Sequence, residues 1–233
     1  MAVIAVCIFL TACRKFDFKF RDPALHCQID VITGDLEGTT LHRKFHYNEF
    51  GNPTLVEYVE TEGGTGTPNF YFYYNDKQQL IEMIGYGTHR YYYNSLGQIV
   101  IDSSYEYYTG GDARFETKFY YDLYGRVARL TRKYYYDMFE QEGLGETTTW
   151  QLKYDRKGNL VRDGVTYDNK TNISRTHPLW MFLNLDYSIN NPIKATGYNA
   201  AGLPTSFGEG FLNFLESSMF NKTVEYNCDD TVK

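Results

Sequence analysis

The sequence predicts an all-β protein of antiparallel hairpins, forming either an open twisted meander or a barrel-like sheet, with one short helix. Three observations predict it. The chain of 233 residues contains 23 Tyr and 16 Phe, and aromatic residues favour pleated, half-buried surfaces. A five-residue turn motif recurs along the chain, and apolar and polar residues alternate beside it. We expect one hairpin domain over residues 40–233, preceded by a tether and first strand over residues 13–39.

The composition excludes two classes of protein. Aromatic residues make up 18% of the chain, which is too many for an intrinsically disordered segment. The 29 acidic and 23 basic residues give a net charge of -6. Because no run of basic residues is visible, we predict no nucleic-acid partner.

The N-terminus predicts export and a lipid anchor. Residues 1–12 are uncharged and mostly apolar, too short a run to span a bilayer but typical of a secretory signal. The string Leu10-Thr11-Ala12-Cys13 ends this run and resembles the lipobox of bacterial lipoproteins. The resemblance implies cleavage before Cys13, a lipid on Cys13 that holds the chain to a membrane, and a place in the bacterial envelope, on the outer membrane. A buried N-terminal strand is the alternative.

Two cysteines remain after that processing, Cys27 and Cys228. An exported protein can form disulfides, so a bridge between them is a candidate link between the two ends of the chain. Two free buried thiols are the alternative, because the sequence does not give the Cα separation that a disulfide requires.

The recurring motif is Tyr-Asn/Asp-x-x-Gly. The Asn or Asp side chain can accept a hydrogen bond from the backbone two residues later, and the Gly supplies positive φ. Together they predict a type I turn with a G1 bulge, which sets the anchor Tyr opposite the residue six positions later. Complete copies begin at Tyr47, Tyr93, Tyr121, Tyr154 and Tyr198, and copies without the Gly begin at Tyr74, Tyr167 and Tyr226.

This register gives each hairpin one apolar face, as a core face requires. The predicted partners of the anchors are aliphatic: Leu80 for Tyr74, Ile99 for Tyr93, Val127 for Tyr121, Leu160 for Tyr154 and Ile173 for Tyr167. The position two before the anchor is also usually apolar, as at Phe45, Phe72, Tyr91, Phe119, Leu152, Val165 and Val224.

The repeats resemble the Tyr-Asp (YD) hairpin repeats of the RHS family. The phrases Gly-Asn-Pro-Thr at 51–54 and Gly-Leu-Pro-Thr at 202–205 are similar to uncharacterised Bacteroidetes lipoproteins with YD-like repeats. YD repeats build large β-shells around toxins and also occur in cell-surface adhesion proteins. The resemblance covers about residues 40–233 and implies hairpin architecture rather than a particular activity.

Two segments interrupt the hairpin pattern. Residues 138–146 hold three Glu and two Gly, which predicts a mobile loop. In residues 176–187, Pro178 precedes an apolar run, which predicts a short helix near 178–186 that packs on the sheet as a core plug. A membrane contact is the alternative for that run.

No catalytic motif is recognisable in the sequence, so we predict a protein that is not an enzyme and binds no cofactor. His42 and His46 lie on one strand face, but no third ligand is apparent, so we predict no metal site. Carboxylates such as Asp102, Glu106 and Asp112 could lie at glycosidase distance, but the sequence does not give their separations.

The candidate binding site is the second face of the sheet. In the three central copies the residue before the anchor is aromatic, at Tyr73, Tyr92 and Tyr120. Neighbouring hairpins would set these rings in a row that can stack on sugars or on a protein partner. Alternatively the N-terminal segment, residues 176–187 or barrel closure covers them. The predicted cross-strand partners of the three rings are Ile81, Val100 and Ala128.

We therefore predict a lipid-anchored envelope protein with a non-catalytic binding or scaffold role toward a glycan or an envelope protein. A carboxylate-dependent glycan hydrolase and a structural subunit of an envelope complex are the alternatives.

Overall fold

The computed structural model describes residues 26–36, 39–60, 68–108, 111–138, 141–192, 195–207, 212–214 and 217–228. The predicted signal and Cys13 lie outside these residues. The described chain contains fourteen strands, a 3₁₀ helix (Ile173–Thr176) and helix α1 (Pro178–Leu183). The strands are β1 (Cys27–Leu36), β2 (Thr39–Tyr47), β3 (Pro53–Glu60), β4 (Phe70–Tyr74), β5 (Leu80–Ile84), β6 (Gly87–Tyr93), β7 (Ile99–Tyr108), β8 (Gly111–Tyr121), β9 (Val127–Met138), β10 (Gln141–Gln151), β11 (Ala195–Tyr198), β12 (Pro204–Phe207), β13 (Leu212–Phe214) and β14 (Ser217–Cys228).

The strands form an antiparallel meander. The pairing order is β10-β9-β8-β7-β6-β5-β4-β3-β2-β1-β14-β12-β11, and β13 pairs with β14 beside this path. The outer strands β10 and β11 do not pair with each other in the described part of the chain. The predicted all-β meander with one short helix is therefore confirmed in its open form. Helix α1 ends at Leu183, slightly earlier than predicted.

The Tyr-Asn/Asp-x-x-Gly motif forms the predicted turn. In the first copy, the N–H of Asn48 donates to Asn52 O and the N–H of Gly51 donates to Asn48 O, each at 2.9 Å. The side chain of Asn48 also accepts from the N–H of Phe50 at 3.0 Å. Gly51 has φ +79°, where an L side chain is strained. The corresponding glycines with positive φ are Gly97, Gly125, Gly158 and Gly202.

The anchor pairs follow the predicted register in four of the five hairpins for which we named a partner: Tyr74 with Leu80, Tyr93 with Ile99, Tyr121 with Val127 and Tyr154 with Leu160. The predicted pair of Tyr167 with Ile173 is wrong. Ile173 begins the 3₁₀ helix, where the Asn172 side chain caps the helix by accepting from the N–H of Ser174 at 2.8 Å. Position 171, where Thr replaces the Gly, instead bridges to Asn190.

The partners predicted for the second face are also wrong. Tyr73 pairs with Glu82, Tyr92 with Ile101 and Tyr120 with Arg129. Besides the G1 bulge of its turn, each of these hairpins has a second bulge. It lies directly after the anchor pair and inserts one extra residue into the returning strand. These extra residues are the predicted cross-strand partners of the three rings, namely Ile81, Val100 and Ala128.

The predicted loop over residues 138–146 is wrong too. Strand β9 continues to Met138, and β10 begins at Gln141, which pairs with it. The register shifts between Leu144 and Thr147. There the backbone of Gly145 passes so near β9 that a Cβ would lie 2.2 Å from the carbonyl oxygen of Tyr134. Pairing with β9 therefore overrides the loop-like composition, and Gly permits the close approach.

The hydroxyl of each anchor Tyr ties its hairpin to the neighbouring one. Tyr74 donates at 2.7 Å to the carbonyl of Pro53, which stands opposite the anchor Tyr47. Burial raises the pKa of Tyr93 to about 12, so this hydroxyl stays protonated and a donor at neutral pH. The same bond recurs from Tyr93 to Leu80 (2.9 Å), Tyr121 to Ile99 (2.7 Å), Tyr154 to Val127 (3.1 Å), Tyr226 to Pro204 (2.6 Å), Tyr47 to Ile29 (2.9 Å) and Tyr167 to Leu160.

These bonds close a ring at the turn end of the sheet. Ile29 stands opposite Tyr226, so the bond from Tyr47 continues the series across β1. The gap between Tyr198 and Tyr167 is closed by a side-chain bond. The hydroxyl of Tyr198 donates at 2.8 Å to a carboxylate oxygen of Asp168, the residue after Tyr167. All eight anchor tyrosines therefore belong to one closed circuit, although strand pairing leaves the sheet open.

Replacement of Tyr121 by Phe should lower the free energy of unfolding by about 1–2 kcal/mol, because the Ile99 carbonyl would lose its partner. The control is Tyr92→Phe, since Tyr92 is 52% exposed; it should change stability by less than about 0.5 kcal/mol. Urea unfolding measures both. Equal effects of the two substitutions would contradict the hydroxyl circuit.

Helix α1 packs on the inward face of the sheet, which also carries the anchor tyrosines. The Trp180 side chain is fully buried, with its ring centroid 5.6 Å from that of Phe45 and 5.8 Å from that of Phe72. Phe182 packs 4.9 Å from Phe119 on the next hairpins. The helix thus contacts the positions two before the anchors, as a core plug would. None of the helices in the described ranges is long and apolar enough to span a bilayer.

A disulfide joins Cys27 to Cys228. The two cysteines form the first registered pair between β1 and β14. Of the two alternatives that the sequence left open, the structure therefore has the bridge, which joins the first strand to the last.

The start of α1 depends on a neutral histidine. His177 is the N-cap, and its Nδ1 accepts from the N–H of Leu179 at 3.1 Å. Burial lowers the pKa of His177 from 6.5 to about 4. The unfolded chain therefore binds a proton at this position at a higher pH than the folded chain does. Lowering the pH consequently destabilises the folded state.

We expect stability to fall by about 3 kcal/mol through His177 as the pH drops from 6.5 to 4, and to be unaffected by it above 6.5. His177→Asn keeps a capping side chain that does not titrate. The difference between the unfolding free energies of the two proteins across this pH range is the measurement, because other groups cancel. Parallel pH curves would contradict the assignment.

Candidate functional site

The outward surface of β4 to β9 around Tyr73, Tyr92 and Tyr120 is the candidate site, here called the tyrosine face. These three side chains are 46%, 52% and 39% exposed. Helix α1 packs on the opposite face, so residues 176–187 do not cover them, and strand pairing does not close over them. The N-terminal segment, the third covering element we considered, lies outside the described residues.

The three rings follow an oblique line. Tyr73 pairs with Glu82, and Glu82 pairs with Arg90, which lies two residues before Tyr92 on β6. The step from Tyr92 to Tyr120 repeats this offset. Crossing two strands and shifting by two residues separates successive Tyr Cα atoms by about 12 Å in a regular sheet. The line therefore sets three half-exposed rings at regular intervals, a spacing that an extended ligand could follow.

Basic side chains surround the line. They alternate with inward residues and come from separate strands, so no basic run marks them in the sequence. Among the described side chains of this face, positive charges outnumber negative ones by three, although the whole chain has a net charge of -6. Among the described outward side chains of β5 to β9, the basic residues are Arg90, Arg114, Lys118, Arg129 and Lys133, and the acidic ones are Glu82 and Glu116.

Aromatic rings hold several of these cations in place. The guanidinium of Arg129 lies 3.8 Å from the Tyr120 ring centroid. Arg114 lies 5.6 Å from the ring of Tyr105 and 5.4 Å from that of Tyr135. Cation–π contacts of this kind orient a guanidinium and leave its N–H groups available to an anion. The ion pairs recorded on this face are Arg90 with Glu82 at 3.1 Å and Lys118 with Glu116 at 3.3 Å.

His89 and Asp102 form an interior pair that was not predicted from the sequence. Nδ1 of His89 lies 2.9 Å from Oδ2 of Asp102, and Ser104 is the direct cross-strand partner of His89. These are the residue types of a nucleophile, a base and an orienting acid. Ser104 is only 1% exposed and Asp102 7%, so a substrate would not reach them. These residues are neighbours because of the second bulge, which shifts the strand register. The register predicted from the sequence did not include that bulge.

A polar cleft of about 370 Å³ lies between the turns that follow Tyr154 and Tyr167. It contains two carboxylates, those of Asp155 and Asp168. Asp155 accepts from the N–H of Lys157 at 2.8 Å, and Asp168 accepts from the Tyr198 hydroxyl, so both brace the fold. The cleft is lined by Asp155, Lys157, Asn159, Thr166, Tyr167, Asp168, Asn169 and Asn190.

The histidine pair on β2 has separate partners. His42 Nδ1 lies 2.9 Å from the Thr33 hydroxyl, and His46 Nε2 lies 3.0 Å from a Glu57 oxygen. Within the described ranges, His, Cys, Asp and Glu residues form no group of three that could hold a metal ion. The side chains of Glu106 and Asp112 lie outside what the structure describes.

Comparison with known proteins adds no assignment, because no family model matches the chain and no curated protein matches it. The class that the fold and the face define is an open β-meander whose outward surface is aromatic and basic.

Proposed function

We propose that this chain is a lipid-anchored protein of the bacterial outer membrane, of the YD-repeat type, that binds an acidic envelope glycan through the tyrosine face without catalysis. The oblique row of three half-exposed tyrosines among basic side chains carries the proposal. The lipobox-like string ending at Cys13 and the Tyr-anchored turns support the anchor and the repeat type.

The rings favour a polymeric carbohydrate. A Tyr side chain offers an apolar ring that stacks on the C–H face of a sugar and a hydroxyl that remains in water. The sheet fixes the three rings before binding, which reduces the ordering cost of association. Their spacing of about 12 Å is comparable to a disaccharide, so an extended polysaccharide would meet several rings at once.

The cations favour an acidic polymer. Arg donates two parallel hydrogen bonds to a carboxylate such as that of a uronic acid, and Arg114 and Arg129 rest on aromatic rings. A nucleic acid is also anionic, but the excess of acidic residues over the rest of the chain would repel so dense a charge.

The tyrosine face can be tested by replacing Tyr73, Tyr92 and Tyr120 together with Ala. We expect electrophoretic retardation in gels containing polygalacturonate for the unmodified chain, and at least about tenfold weaker retardation for the triple variant, since each stacking ring contributes on the order of 1 kcal/mol. Circular dichroism reports folding. A folded triple variant that binds unchanged would contradict the site.

Matched controls separate the face from general surface changes. Replacing the exposed turn residues Phe50, Leu96 and Leu123 with Ala removes three other apolar side chains and should leave binding intact. Release of reducing ends from the polymer would favour the glycan hydrolase at the cleft of Asp155 and Asp168 instead.

The charge contribution has its own pair of variants. Arg114→Gln with Arg129→Gln should weaken binding to polygalacturonate and spare the weaker binding to neutral dextran. Arg156→Gln with Arg162→Gln removes the same charge from exposed positions elsewhere and should change neither. Equal retention on double-stranded DNA and polygalacturonate would contradict a glycan-specific face.

A further inference from the structure

The turn end of the sheet carries apolar side chains that the fold and the tyrosine face do not use. Turn tips are ordinarily polar, yet the four most exposed large apolar side chains among the described residues all lie in hairpin turns. They are Leu123 (103%), Leu96 (81%), Tyr124 (75%) and Phe50 (61%).

Successive turns lie side by side at this end. A Cβ on Gly97 would lie 4.0 Å from Gln79 Nε2, and a Cβ on Gly125 would lie 3.9 Å from Gln98 Nε2. Each turn therefore borders the turn of the neighbouring hairpin. The apolar tips are consequently points on one end surface, above the ring of anchor tyrosines.

The N-terminal tether enters at the same end. Cys27 begins β1, and the carbonyl of Ile29, two residues on, accepts from the anchor Tyr47. Strand β1 then continues away from the turns. Cys13 precedes His26 by thirteen residues, a distance of at most about 45 Å when extended. A lipid on Cys13 would therefore connect to the protein at the turn end, within reach of the bilayer.

We propose that the turn end docks on the bilayer, with Phe50, Leu96 and Leu123 inserted at the headgroup boundary. This inference rests on the lipid anchor proposed at Cys13. A bilayer interface can accommodate single apolar side chains on separate turns, because lipids rearrange around each of them. Tyr124 has an amphipathic ring of the kind that is enriched at such interfaces.

This docking would orient the whole protein. The strands would stand away from the membrane, and the tyrosine face would point sideways into the surrounding glycan. The anchor and the binding surface would then act on different partners at the same time.

The test uses the full processed chain in vesicles of phosphatidylethanolamine and phosphatidylglycerol. An environment-sensitive probe is attached at Leu96→Cys or, as the matched control, at Ile81→Cys, which is 43% exposed on the tyrosine face. Lipids brominated near the headgroup should quench the probe at position 96 and not the probe at position 81. No quenching at 96, or equal quenching at both positions, would overturn the proposal.

A second arm separates this docking from the anchor. Mass spectrometry reports whether Cys13 carries lipid, and a negative result counts against the proposed function. In the processed chain, residues 13–233, with Cys13→Ala, changing Phe50, Leu96 and Leu123 to Ser should reduce vesicle co-sedimentation about tenfold. The same change at Tyr73, Tyr92 and Tyr120 should not. Equal losses, or tip-dependent self-association in place of vesicle binding, would overturn the inference.

Discussion

Replacement of Trp180 by Ala should lower the free energy of unfolding by about 3–5 kcal/mol. Trp180 is fully buried and packs edge-on against Phe45 and Phe72, which lie on two different hairpins. Its removal would leave a cavity on the inward face, where β2 and β4 meet α1. The surrounding strands are held by backbone pairing and the hydroxyl circuit, so they would close this cavity only in part.

The other tryptophan is the matched control. Trp150 lies on the outer strand β10 and is 41% exposed, so Trp150→Ala should cost less than about 1 kcal/mol. Urea unfolding of both variants gives the comparison. A cost below about 1 kcal/mol at Trp180 would show that α1 does not plug the sheet.

Replacement of Cys27 and Cys228 together with Ser should lower the free energy of unfolding by about 2–5 kcal/mol. The disulfide spans a sequence separation of 201 residues, and the chain-entropy model assigns large effects to long loops. It also fixes the junction of β1 with β14, through which the anchor circuit passes from Tyr226 to Tyr47.

A reducing agent provides the control for this pair. The unmodified chain should lose stability when it is reduced, and the Ser variant should not respond. Equal stability of the oxidised and reduced chains, or two thiols that react with a labelling reagent before reduction, would contradict the bridge.

The parts of the fold that follow from local chemistry could be predicted from the sequence. Asn48 and Gly51 determine their turn through hydrogen bonds within five residues, so the hairpins and anchor pairs were predictable. The Tyr74 copy forms without Gly because Gln78 takes φ +59°, and its side chain accepts from Asn52. At Tyr167 the capping side chain of Asn172 starts a 3₁₀ helix instead.

The parts that depend on distant contacts could not be predicted. The second bulge carries no Gly or Pro as a mark, so the partners of Tyr73, Tyr92 and Tyr120 were displaced by one residue. The bond from Tyr198 to Asp168 closes the turn end across 30 residues. The basic surroundings of the tyrosine face arise only when separate strands are set side by side.

The central claim is that the tyrosine face binds an acidic glycan, and aromatic-ring NMR tests it most directly. Titration of the chain with oligogalacturonate should shift the ring resonances of Tyr73, Tyr92 and Tyr120 together, with one dissociation constant, and leave that of Tyr124 unchanged. Shifts confined to Tyr167 at the polar cleft, or no shift at the three rings at saturating ligand, would contradict the claim.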